Sequence, residues 1–513
     1  MRNTKPRLAL LLITVAGACT FLIRMGIVMK KPMNEIKIAF DGAWQSTHPG
    51  LQHTLIGDLT LSNQFEPLVG INENGAYVHL AATEWTISPN FKLLKFKIDT
   101  ARKFADGSTL TAADFKKSWE NSLRLDPKSS NNSLLDVLYK VEGFSDFSKD
   151  GTLSGLKVVD DDILEIHFAT PFRMALEHLS GNRFAAYHEF NGKFVGTGAY
   201  SITELGPELL RLTPNPYFSG GPKPKAKILL SVVDAARAVD DLRSGMLDAV
   251  GYATGALISS ELASAKNLST IVGEDALHRA IYLNCQHGRF FENRKYRLAL
   301  QYLVQKYLRQ HAILGNPLYT VVDPQVFLPL QAGRIAEVDA DSIIESGKAF
   351  VPELLQAASA HPPILIETDV FSLRPLLKEA GVEISAKSRV VPRSEIIGLI
   401  YEGVQADLIP GSFGVASGDP DGIYHKLGRS GAIASPMTAN ELVAGLLEEG
   451  RSITDQTQLD PFYQKVNRAI LAEAPMIHMG FNKAVAIYRN DKLEVTQKIL
   501  RRNEGHLNIF EAK

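Results

Sequence analysis

The chain has 513 residues, with 55 Lys+Arg against 56 Asp+Glu for a formal net charge of −1. A hydrophobic share of 45% and a charged share of 22% are ordinary for a folded chain, and the length suggests about three compact units. Charge so near balance, with no basic run beyond pairs such as Arg501-Arg502, leaves no electrostatic footprint for nucleic acid and disfavours that class of function. The 2 cysteines, Cys19 and Cys285, cannot build a disulfide framework or a Cys-rich zinc site. Cys285 reads as a small buried hydrophobe, and no structural disulfide is expected.

At the N-terminus, Arg2, Lys5 and Arg7 precede an apolar run over 8–15 and then Ala16-Gly17-Ala18-Cys19. A charged head, a short apolar stretch and small residues make an export leader. Three outcomes stay open: a lipoprotein with lipidated Cys19, a leader cleaved after Ala16-x-Ala18, or an uncleaved anchor over 8–29 with Arg24 as its costly member. All three put the working part outside the cytoplasm, tethered to a membrane in the first and third.

In chain order, alternating residues over 36–40 predict a strand, and 59–69 a helix closing on Gly70. Strands are expected over 84–87 and 93–98. Thr111 caps a helix that carries Asp114 at its third position. A hairpin is expected from 157–159 and 163–168 across Asp160-Asp161-Asp162, read as a solvated tip. From Lys227 onward strands (228–233, 248–250, 363–368, 382–385, 406–410) alternate with helices (235–244, 372–380, 394–402), which argues a mostly parallel sheet. A last helix covers 461–472.

No nucleophile elbow, zinc-protease helix, Walker loop or Cys-x-x-Cys pair is found. Gly196-Thr197-Gly198 lacks the third glycine and the strand-turn-helix context of a dinucleotide site, so a backbone turn is the better reading. Asp419-Pro420-Asp421-Gly422 sets two acids in a stiffened loop, readable as a solvated polar turn or, with an incomplete ligand set, a cation loop. His278 and His287 read as packed or surface histidines. Trp44, Trp85 and Trp119 read as core or pocket wall. No catalytic residue, cofactor or metal is expected.

Taken as a series, the landmarks resemble the extracytoplasmic solute-binding proteins of bacterial ABC importers, of the dipeptide/oligopeptide/nickel type (family 5). They are Ser46-Thr47-His48-Pro49, the stretch from Phe65 to Leu68, Leu80-Ala81 with Trp85, and Phe104-Ala105-Asp106-Gly107 leading to Leu110-Thr111-Ala112-Ala113-Asp114. They continue with Gly196-Thr197-Gly198-Ala199-Tyr200, Asn215-Pro216-Tyr217-Phe218, Leu242 to Ala249, Asn284 with the helix after it, the Asp-Pro-Asp loop and the late helix ending at Ala474-Pro475. The resemblance implies a mixed α/β, two-lobed periplasmic-binding-protein-like fold that closes on its ligand about a hinge near Asn284 and Phe481. Residues 1–30 would be leader or anchor, 31–280 the first lobe with an extra subdomain at about 50–190, 281–482 the second lobe, and 483–513 the return to the first.

One departure concerns specificity. Peptide-binding relatives carry Trp-x-x-Asp before the Asp-Pro-Asp loop, the acid pairing with the peptide amine. Here the stretch reads Phe413-Gly414-Val415-Ala416, and Asp419 or Asp421 is left to compensate. The ligand-binding candidates are therefore Trp44, Asn284, Phe413, Ala416, Asp419 and Asp421. The implied function is capture of a peptide or peptide-like solute for an ABC permease, by a monomer that performs no chemistry. The alternative is a membrane-tethered solute sensor or interaction protein that retained the binding fold.

Overall fold

A computed structural model describes residues 34–40, 46–51, 57, 60–71, 76–125, 134–233, 235–251, 265–311, 320–328, 331–368, 372–402, 405–414, 419–429, 435–495 and 510–512. The expected leader, with Cys19, lies outside them. No helix among the described residues is long and apolar enough to cross a membrane.

The first lobe is built on strand Glu35–Phe40. Its alternation puts Ile36, Ile38 and Phe40 into one buried cluster and Ala39 into another, on the opposite face. Strands Lys227–Val232 and Ala249–Gly251 both pair with it in parallel, joined by helix Ala235–Ser244, whose Ala238 and Leu242 cover Ala39. That unit is the strand-helix alternation expected from sequence. The rest of the 9-stranded sheet corrects the expectation of a mostly parallel one, since every other ladder in it is antiparallel. A parallel neighbour needs a crossover of about a dozen residues, whereas hairpins and strands returning from the far end of the chain pair antiparallel.

Two long strands, Leu268–Leu283 and Met476–Arg489, run side by side through both halves of this sheet. At one end the second of them pairs with Ala249–Gly251; at the other the pair is flanked by Leu408–Gly414 and Thr320–Val322. Their register slips between Val272 and Ala276 and again between Arg279 and Ala280. In the second lobe, Ile281, Leu283, Ile477 and Met479 face helix Arg294–His311, while Ala280, Tyr282, Ile409 and Met476 face helices Glu441–Gly450 and Leu459–Glu473. Both faces are covered, which is why these segments read as continuous apolar runs.

A separate antiparallel sheet belongs to the first lobe: Ala82–Ile87, Leu93–Ile98, Ile163–His167 and Leu156–Asp160. Helix Ala112–Leu125 packs on it through Phe115, Trp119 and Leu123, in a core that runs from Leu68 to Ala186. The capping pair expected at its start is present: Asp114 accepts from the backbone N–H of Thr111 at 2.8 Å and from its hydroxyl at 2.7 Å.

Other expectations fail for local reasons. The helix over 59–69 stops at Leu61 among the described residues; Pro67 cannot continue it, and Val69–Ile71 instead pairs antiparallel with Tyr77–His79. Residues 382–385 form no strand. Gly381, at φ 73, ends helix Arg374–Glu379, and the N–H of Val382 returns to the Leu377 carbonyl at 2.8 Å, as in a Schellman cap. The strand expected over 363–368 shortens to Ile366–Glu367, paired with Arg389–Val390. Gly196 and Gly198 are backbone glycines, because a Cβ at either would lie 2.2 or 2.6 Å from main-chain oxygens of Gln64 and Asn63.

Candidate functional site

The Asp-Pro-Asp loop faces the antiparallel unit of the first lobe. Asp419 caps the single turn Pro420–Ile423, accepting from the backbone N–H of Asp421 at 2.9 Å. Its carboxylate is gripped by both terminal nitrogens of Arg173, which comes from the turn before helix Ala175–Leu179. The fork matches the carboxylate, and the Arg173 side chain is only 5% exposed. Gln331 donates to the Asp419 carbonyl at 2.7 Å, holding the loop from its own lobe.

Asp421 lies deeper, with its side chain wholly buried. Arg451, just after helix Glu441–Gly450, reaches its two oxygens through Nε at 3.2 and 3.0 Å, and the Tyr463 hydroxyl donates to it at 3.3 Å. The Arg451 guanidinium lies 3.4 Å from the centre of the Tyr424 ring and 5.3 Å from that of Phe172, and its Nη1 donates to the Tyr139 hydroxyl at 2.9 Å. His178 stacks on Phe172, with Nε2 4.0 Å from Asp421. Burial pushes the phenols of Tyr139, Tyr424 and Tyr463 up, so all three stay neutral at physiological pH.

A second polar group sits between the long strands. His478 Nδ1 is 2.7 Å from the Asp323 carbonyl, which only accepts, so that nitrogen carries the proton. His478 Nε2 then accepts from His278 Nδ1 at 3.1 Å. The His278 ring stacks on Phe413, 4.6 Å between centroids, and meets Phe481 edge-on. Burial pushes His478 down from 6.5 to about 3. The unfolded chain therefore takes up a proton below pH 6.5 that the folded one refuses, and stability falls as pH falls through that value. At pH 5 the loss from this group is expected to be about 2 kcal/mol. Urea unfolding of wild type and His478→Gln at pH 7.5 and 5 measures it; identical pH dependence in the two would refute it.

The family model described as bacterial extracellular solute-binding proteins, family 5 Middle, matches residues 76–332, half of the chain. The chain belongs to this family. By sequence it is similar to the periplasmic murein peptide-binding protein MppA of Escherichia coli (strain K12), 27% identical over 169 residues. That match spans 30% of this chain and only 31% of the relative's length. By structure it is similar to the binding protein AgaA from A. tumefaciens R10 in complex with agropinic acid, with a TM-score of 0.78 and 15% identity, covering 94% of this chain and 99% of that one. It is likewise similar to the ABC transporter-associated periplasmic binding protein DppA from Helicobacter pylori in complex with the peptide STSA, with a TM-score of 0.77 and 16% identity, covering 94% and 98%. Identities at this level show the family 5 fold, a mixed α/β architecture, and nothing finer.

Of the residues singled out from sequence, Phe413, Asp419 and Asp421 stand on neighbouring segments of the second lobe. The reading of the loop as solvated acids is overturned, because Asp421 is sealed and Asp419 is 17% exposed. Both carboxylates already face a guanidinium, an arrangement unlike a cation loop. Asn284 is wholly buried at the end of its strand, where it bonds the Asp407 and Ala406 carbonyls at 2.8 Å each. Trp44 and Ala416 lie outside the described residues. His278 is packed and His287 is on the surface beside Glu292, as read. Sequence reasoning missed Arg173, Arg451, Tyr139, Phe172 and His178. The available signal was an arginine set directly in apolar surroundings, Phe172-Arg173-Met174, since a cation drawn into a core needs an anion.

Proposed function

We propose that this family member is the substrate-binding component of an ABC-type importer, capturing a peptide or peptide-like solute between its lobes and delivering it to a membrane permease, without chemistry. The family match over 76–332 carries the proposal. The partners named for its relatives, a murein peptide and the peptide STSA, support the ligand class. Closure would bend the two long strands near their register slips, close to the hinge expected at Asn284 and Phe481. Phe413, Ala416, Asp419 and Trp44 would form the cleft wall, with Asp421 and Asn284 as supports behind it. Residues 1–30 would export the monomer and tether it to the membrane through lipidated Cys19 or an uncleaved anchor.

The test is a thermal-shift screen of the purified protein against di-, tri- and oligopeptides, with sugars and metal chelates alongside. A ligand at 100 times its Kd stabilises the fold by about 2.7 kcal/mol, so a peptide should raise the midpoint and be recovered unaltered by mass spectrometry. A shift with sugars or chelates alone would remove the peptide assignment. Cleavage of a bound peptide would remove the binding-only role.

A further inference from the structure

Side-chain contacts join the antiparallel unit of the first lobe to the second lobe. Arg173 pairs with Asp419 across 246 positions of sequence. Arg451 donates to Tyr139 across 312 and lies against Phe172. The second-lobe half is assembled by its own lobe: Gln331 holds the Asp419 carbonyl, the Asp419 carboxylate caps Asp421, and Asp421 fixes Arg451. On the first lobe, Arg173 is set by the turn before helix Ala175–Leu179, where its Nη1 also lies 3.0 Å from the Met174 sulfur. Parting the lobes would break the cross-lobe contacts and leave those within each lobe in place. A relative of this fold, the murein tripeptide binding protein MppA, has an unliganded open form, to which this chain is similar with a TM-score of 0.64 and 18% identity, covering 94% of this chain and 96% of that one.

We propose that the Arg173–Asp419 pair, with Arg451 against Tyr139 and Phe172, is a latch that forms once a solute is enclosed and slows its release, so that the Asp419 carboxylate serves closure and not the solute's amine. The latch rests on the lobe-closing function proposed above, and it replaces the role expected from sequence, in which Asp419 is left to pair with the amine. A carboxylate gripped by both terminal nitrogens of a guanidinium already has its charge matched. A solute ammonium reaches it only by displacing Arg173, which would strand a guanidinium whose side chain is 5% exposed. In an open form both groups meet water, where an ion pair contributes little. Enclosing a solute removes that water and strengthens the pair. The gain belongs to the closed form, so it is the same for every solute that the lobes enclose.

The experiment is calorimetric and stopped-flow binding by the purified full-length protein. The probes are trialanine, N-acetyl-trialanine and the first member of the thermal-shift panel found to bind. Asp419→Asn, which keeps the cap to Asp421, and Arg173→Gln should each raise Kd about 30-fold or more, by the same factor for every probe that binds. The loss should lie in faster release, with association unchanged. The sign for Arg173→Gln is decisive: an Asp419 that held the amine would be freed by this variant and would bind trialanine more tightly. The double variant, with no unpaired charge left, should bind more tightly than either single one. Solute-free urea midpoints should stay at the wild-type value, because the pair is made on closure. Tyr139→Phe leaves both charges in place and keeps the test available should a charge variant fail to fold; it should speed release about tenfold. Tighter trialanine binding by Arg173→Gln would overturn the latch. So would a loss in Asp419→Asn confined to the free amine, wild-type release rates in the variants, or lowered solute-free midpoints. In each of those cases the wild type still binds and the function stands. A wild type that binds no probe removes the binding function, and the latch with it.

Discussion

Asp421→Ala is expected to destabilise the second lobe by about 3–5 kcal/mol, far more than an average substitution in a polar loop. The acid is wholly buried, and so is the Arg451 side chain that it neutralises. Removing the carboxylate leaves a guanidinium among Tyr424, Phe172 and Tyr463, where water cannot replace the lost partner. Urea unfolding followed by tyrosine and tryptophan fluorescence measures the loss. Replacing the pair together, Asp421→Leu with Arg451→Met, should recover most of it, because two apolar groups of similar size need no partner. A loss below about 1 kcal/mol in the single variant would mean that the pair is solvated, as a simple polar turn would be.

Trp119→Ala is expected to cost about 3–5 kcal/mol, and to do so in the first lobe's antiparallel unit. Trp119 is wholly buried, its Nε1–H donates to the Phe184 carbonyl at 2.9 Å, and its ring meets Phe115 and Phe184 edge-on. These contacts join helix Ala112–Leu125 to the segment just after helix Ala175–Leu179. The unit has its own core, so hydrogen exchange should accelerate across strands Leu93–Ile98 and Ile163–His167 while the Ile281 and Ile477 amides of the second lobe stay protected. Uniform acceleration over both lobes would show that the chain opens as one cooperative body.

Much of the fold was legible because it is written in local rules. The capping pair Thr111 and Asp114, helix Ala235–Ser244 ending at Gly245, and the strands on either side of Asp160-Asp161-Asp162 each depend on residues only a few positions apart. The failures came where one pattern serves two structures. The alternating stretch over 382–385 follows a glycine, and the cap of the preceding helix takes the N–H of Val382 that a strand would need. The helical spacing over 59–69 meets Pro67 and a strand partner at Tyr77–His79.

The site divides in the same way. Sequence by itself determined the family, through landmarks in order along the chain, and marked the Asp419-Pro420-Asp421 loop as unusual. Only the tertiary structure decided what those acids do. Their partners, Arg173 and Arg451, lie 246 and 30 residues away, and a buried charge is defined by what surrounds it in space. Hydrogen-bonded turns and periodic faces close over a few residues, so local sequence contains them. A carboxylate facing a guanidinium from another lobe exists only once both lobes have folded and met.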